Sequence, residues 1–109
     1  MKYYDLKGYK VTPYRDHYVN NGSLAVFLKT SKNEDYAVVT VNIELSDYIG
    51  DEACAYIDTN NCPWVEKFLI KNNIANPTGE IGCSGFCGYP LYRFDLTKLE
   101  EYKNDEKEI

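Results

Sequence analysis

Along residues 36–43 the side chains alternate. Ala37, Val39, Val41 and Ile43 fall on one face, and Tyr36, Val38, Thr40 and Asn42 on the other. A period of two, rich in β-branched residues, is the mark of a strand. It commits this chain of 109 residues to a fold built on a sheet. Residues 24–30, with the run Leu24-Ala25-Val26-Phe27-Leu28, read as a buried strand. The short polar loop 31–35 predicts that the two pair as an antiparallel hairpin. Asn20-Asn21-Gly22-Ser23 is a turn signal. The segment before it, 9–19, carries Pro13, which predicts an edge strand or a broken one because proline cannot donate to a ladder. Residues 53–58 and 89–96 read as further strands.

One helix is expected over about 62–73. Asn60, Asn61 or Cys62 can cap it, and Pro63 suits its first position, where a missing N–H costs nothing. Trp64, Val65, Phe68 and Leu69 form an apolar stripe, with Glu66, Lys67 and Lys71 turned to water. Asn72 or Asn73 offers a left-handed exit with Ile74 folding back, and Asn76-Pro77-Thr78-Gly79 closes the excursion. Thr97-Lys98-Leu99-Glu100 reads as a capping box opening a short C-terminal helix. The expected class is α+β: a mainly antiparallel sheet of about four to six strands with the helix on one face. The length suits one domain, residues 1–103, followed by a frayed charged tail at 104–109.

Hydrophobic residues make up 44% of the chain, enough to build a core. No apolar run is long enough to span a bilayer, and the first residues, Met1-Lys2-Tyr3-Tyr4-Asp5, carry no export signal. A cytoplasmic protein with reduced cysteines is the expectation. The four cysteines, Cys54, Cys62, Cys83 and Cys87, lack zinc-knuckle spacing. They are weak candidates for a metal site only if they converge, and no cofactor is expected. Cys62 beside a helix N-terminus could be a nucleophile, but the only base of the right type is His17, so a packed cysteine is the simpler reading. The glycine-rich segment 79–88 has neither a P-loop ending nor a nucleophile elbow. It reads as a bulged or sharply turning strand, or as a distinctive loop that contacts a partner. Eleven tyrosines fit half-exposed strands and interfaces alike.

The charge layout is uneven. The net charge is −5, and residues 33–66 hold eight acids (Glu34, Asp35, Glu44, Asp47, Asp51, Glu52, Asp58 and Glu66) and no lysine or arginine. Such a chain has no electrostatic reason to bind nucleic acid, which demands phosphate neutralisation. Gathered on one face, the acids could meet a basic protein partner, or stand in for the phosphates of a nucleic acid. The candidate contact residues are Glu44, Asp47, Asp51, Glu52, Phe86 and Tyr89. A noncatalytic protein acting through a protein partner is the expected function, with an anti-restriction antagonist and a thiol- or zinc-dependent protein using Cys62, Cys83 and Cys87 as the alternatives.

Two stretches carry a family likeness. Asp58-Thr59-Asn60-Asn61-Cys62-Pro63-Trp64 and the segment from Gly82-Cys83-Ser84-Gly85-Phe86-Cys87-Gly88 to Tyr89-Pro90-Leu91-Tyr92 resemble a family of proteins of this size and of unknown function. Its members occur in Firmicutes such as clostridia, often on plasmids, conjugative transposons or phage-derived elements. The resemblance implies a bacterial protein of mobile-element biology; it supplies no activity, cofactor or catalytic residue.

Overall fold

The computed structural model describes residues 2–19, 21–43 and 52–102. Among them are nine strands in two sheets, one helix and a 3₁₀ turn. The class is α+β and the pairing almost wholly antiparallel, but the single sheet expected from sequence is two.

The first sheet begins with β1 (Tyr4–Leu6) and β2 (Tyr9–His17), joined by Lys7-Gly8. Both loop residues have positive φ (51° and 89°), as a type I′ hairpin turn requires. β3 (Leu24–Thr30) pairs with β2 from Val11↔Thr30 to His17↔Leu24. β4 (Asp35–Val38) pairs with β3 antiparallel, as expected, across a turn in which Asn33 is left-handed. Leu24, Val26 and Leu28 are buried while Ala25, Phe27 and Lys29 are half-exposed, the alternation of a sheet with one wet face. β2 is not an edge strand, contrary to the expectation from Pro13. It has β3 on one side, and on the other β1 along residues 9–11 and a C-terminal strand along 14–15. Pro13, fully buried, falls in the gap between these two neighbours, where that edge asks for no ladder donor.

The alternating run 36–43 does not stay in one sheet. After β4 it passes through Val39 into β5 (Thr40–Val41), which belongs to the second sheet. Val39 N–H donates to Val26 O in the first sheet, and its carbonyl accepts from Asp58 N beside the second. The second sheet runs in the order β5, β6 (Cys54–Ile57), β8 (Cys87–Phe94), β7 (Ala75–Ser84).

Between β6 and β7 lies α1 (Val65–Lys71), shorter at its start than the 62–73 expected. The Asp58 carboxylate accepts from Asn61 N and Asn61 Nδ2, and Cys62 N donates to Asp58 O, so residues 58–64 form turns that deliver the chain to the helix. The exit is a Schellman motif. Asn73 is left-handed at φ 55°, Ile74 N donates to Leu69 O, and Asn73 N to Ile70 O. Ile74 is then buried.

No C-terminal helix forms among the described residues. Asp95 accepts from both Thr97 N and Thr97 Oγ1 and caps a single 3₁₀ turn, Leu96–Lys98. The chain then lays β9 (Glu100–Glu101) parallel to Tyr14-Arg15 of β2.

One core unites these parts. It takes Tyr4, Leu6, Val11, Leu24, Val26 and Leu28 from the first sheet and Ala55, Ile57, Tyr92 and Phe94 from the second. Val39 lies at the crossover, and Val65, Phe68 and Leu69 come from the helix. Each large side chain so buried contributes about 1.5–3 kcal/mol. The outer face of the second sheet carries a separate cluster of Cys54, Tyr56, Tyr89 and Leu91, with Val41, Ile43 and Cys87 packed against it.

Candidate functional site

In the hairpin of β7 and β8, β7 is exposed along most of its length. The hairpin's lower part is a regular ladder, from Ala75↔Phe94 to Pro77↔Tyr92. Pairing resumes only at Ile81↔Pro90, so β7 spends two more residues than β8 over this stretch. Gly79 provides the positive φ (94°) that the bulge needs, and Thr78 Oγ1 donates to Leu91 O at 3.1 Å. Above the bulge, Gly82, Cys83 and Ser84 face Tyr89, Gly88 and Cys87. The connection is the two-residue loop Gly85-Phe86. Gly85 has φ 65° and Phe86 does not share it, which defines a type II′ turn with glycine in its required place. The expected bulge and turn are both present, but they form a full hairpin that includes Asn76-Pro77-Thr78-Gly79 inside β7.

β6 pairs with β8 only from Leu91 to Arg93. Residues 81–90 therefore form a two-stranded arm, an element of marginal stability in isolation. Its support is the Tyr56 ring, which reaches across from β6 and lies against Gly82.

β7 is an edge strand, and its two halves differ. The lower half carries edge-blunting devices: Pro77, the bulge, and the charge of Glu80. The upper half, Ile81-Gly82-Cys83-Ser84, has no charge and no proline, and among the described residues its outer edge has no neighbouring strand. Ile81 is 67% exposed and Phe86, at the tip, 109%. Phe86 was legible as a candidate from sequence. Ile81 was not, because its exposure follows from the arm's projection past β6. Tyr89, the other candidate here, is buried in the outer-face cluster. A hydrogen bond with Cys87 and its burial raise its phenol above the ordinary value.

The cysteines do not converge. All four are free thiols. Register puts Cys83 and Gly88 on one face of the arm, and Ser84 and Cys87 on the other, so Cys83 and Cys87 point apart. Cys54 is buried in the outer-face cluster and Cys62 in the main core. Among the described residues no group of three or more His, Cys, Asp or Glu is placed to hold a metal. Cys62 lies ahead of the helix rather than in its first turn, is 5% exposed, and donates its thiol to Val38 O at 3.7 Å. Burial, then the nearby Asp58, push its pKa up, the reverse of an activated nucleophile. His17 stands exposed at the end of β2.

Glu44, Asp47 and Asp51 lie outside the described residues. The described acids of 33–66 are spread over several elements, and three are engaged within the fold. Asp35 pairs with Lys29 at 3.1 Å, Asp58 holds Asn61, and Glu66 accepts from Tyr92 Oη at 2.6 Å. Glu34 and Glu52 are exposed, in the turn before β4 and the turn before β6.

A cavity of about 400 Å³ opens on the wet face of the first sheet, lined by Phe27, Lys29, Asp35, Tyr36, Val38 and Tyr102. Its one cation is already occupied: Lys29 pairs with Asp35 and lies 5.9 Å from the centre of the Tyr102 ring.

Among the described residues no helix is long and apolar enough to cross a membrane. No curated protein and no solved structure matches the chain. The family comparison matches residues 14–109, the α1 and β7–β8 segments included, and on that match the chain belongs to the family described as "Domain of unknown function (DUF4313)".

Proposed function

We propose that this protein is a noncatalytic binding protein that engages a protein partner through the upper β7–β8 arm. The observation that carries the reading is the pairing of an unprotected edge, Ile81 to Ser84, with a fully exposed aromatic at the adjoining turn. Proteins blunt the edges they do not use, and here the same strand is blunted below the bulge and left open above it. An extended partner segment can add to such an edge through main-chain hydrogen bonds, while Phe86 supplies the large aromatic that anchors an interface. The buried, protonated thiol of Cys62 and its lack of a histidine partner support a role without catalysis. The mobile-element setting rests on the resemblance alone.

A photo-reactive phenylalanine analogue in place of Phe86 tests this in cells of the source organism. The expected result is a discrete cross-linked protein that disappears when Ile81→Lys is added, and that the same analogue at exposed Tyr9 does not capture. With the partner in hand, Phe86→Ala is expected to weaken binding by about 2 kcal/mol or more, roughly thirtyfold. A captured band indifferent to Ile81→Lys, or no band, would remove the arm as the binding element.

A further inference from the structure

A second region of the molecule, unrelated to the arm, has the chemistry of a ligand site. Between the β1–β2 turn and the helix lies a cavity of about 290 Å³ lined by Asp5, Lys7, Trp64, Lys67, Lys71 and Asn72, with Leu6 and Phe68 at its base. Its size falls at the small end of ligand pockets. Three lysines, Lys7, Lys67 and Lys71, line it in a chain whose net charge is −5. Lys67 and Lys71 stand one turn apart on the helix, a like-charge spacing that weakens a helix. Neither is in an ion pair among the described residues. The one carboxylate of the lining, Asp5, is already paired with Lys10 at 2.7 Å. Glu66 is drawn away to Tyr92.

Lys7 is unusual on its own account. It occupies the first position of a type I′ turn, where positive φ favours Asn, Asp or Gly and a long side chain is strained. The strained residue sets its ammonium 5.9 Å from the centre of the Trp64 ring, at the mouth of the cavity. Backbone strain of this kind collects at ligand sites.

We propose that this groove binds a small phosphate monoester, its dianion held by Lys7, Lys67 and Lys71 and its organic part against the Trp64 indole. Three lysines around one groove suit a dianion, and lysine ammonium groups hold phosphate as point charges without a fixed fork. The apolar wall suits an ester rather than a bare ion.

Trp64 is the only tryptophan in the chain, so its fluorescence reports the groove directly. The purified protein is titrated with inorganic phosphate, with a nucleoside 5′-monophosphate, and with chloride at matched ionic strength. The expected result is a saturable change with the nucleotide, weaker with phosphate and absent with chloride. Lys67→Gln and Lys71→Gln should each weaken the nucleotide response about tenfold, while Lys10→Gln leaves it unchanged. All three lysines are exposed, so the variants keep the fold. No saturable response to either phosphate compound, a response indifferent to Lys67→Gln and Lys71→Gln, or binding of a polynucleotide without binding of the monomer would each overturn the proposal.

Discussion

Gly82 has the most constrained surroundings of any glycine among the described residues. A Cβ built there would lie 2.5 Å from Cε1 and 2.8 Å from Cζ of Tyr56. Those atoms belong to a ring that is itself buried in the outer-face cluster, so it cannot swing aside as the end of a flexible chain could. The absence of a side chain at 82 is what lets β6 brace the arm across β8. Gly82→Ala should therefore cost about 1–3 kcal/mol, the usual penalty of overpacking, read as a lower urea midpoint. For a domain of this size, 1 kcal/mol corresponds to roughly 4–8 °C in Tm. Gly85 is the control. Its Cβ would meet nothing, and the penalty of Gly85→Ala is the left-handed backbone alone, about 1–2 kcal/mol. A Gly82→Ala protein as stable as the parent would show that Tyr56 does not brace the arm from that position.

Among the elements, the crossing strand decides the architecture. Where β4 ends and β5 begins, the first sheet loses its ladder partner for β3, and Thr40 repairs the gap with its side chain. Val26 N donates to Thr40 Oγ1 at 3.1 Å, and the Tyr18 hydroxyl lies 2.9 Å from the same oxygen. Thr40→Val is isosteric and keeps the β-branch, yet it would strand a buried backbone donor. It should destabilise the protein by about 1–3 kcal/mol, while Thr40→Ser recovers most of the loss; equal denaturation midpoints for the Val and Ser variants would refute the seam. The same strand shows where sequence reading stops. The alternation of 36–43 was legible, and so was its hairpin with β3. The change of sheet at Val39 leaves no local mark, because the alternation continues unbroken and the partners that part it, Val26 and Asp58, are distant in sequence. The helix was legible in its stripe and in its Asn73-Ile74 exit, both local. Thr97-Lys98-Leu99-Glu100 satisfied a local rule too, but Asp95 took the cap and the free edge of β2 took Glu100-Glu101. For the sites, Phe86 stood out in sequence, whereas Lys67 and Lys71 read only as part of the water-facing side of the helix. The facing Lys7 did not stand out either, since only the turn brings it over Trp64.

At the scale of the whole molecule, tyrosine sets the response to alkali. Among the described residues four tyrosines, Tyr4, Tyr56, Tyr89 and Tyr92, have phenols raised above the ordinary value. For Tyr4, Tyr56 and Tyr92 burial is the largest cause, and in Tyr92 the hydrogen bond to Glu66 and the charge of that carboxylate add to it. A raised folded-state pKa means that the unfolded chain gives up its protons first. The stability so held is complete below the unfolded value, about 10, and drains away as pH climbs beyond it toward the folded value. The four sit in both cores, so the loss should appear as one cooperative alkaline transition rather than as local fraying. Tyr92→Phe separates this from lysine titration, which parent and variant share. At neutral pH the variant lacks the Glu66 bond and should be less stable by about 1 kcal/mol, a charged hydrogen bond discounted for the exposure of Glu66. Above pH of about 10 the parent's extra stability falls away and the two urea midpoints converge. Midpoints that keep a constant separation from neutral to alkaline pH would mean that Tyr92 ionises as freely in the folded protein as in the unfolded chain, and that its place between helix and sheet is not the sealed one described.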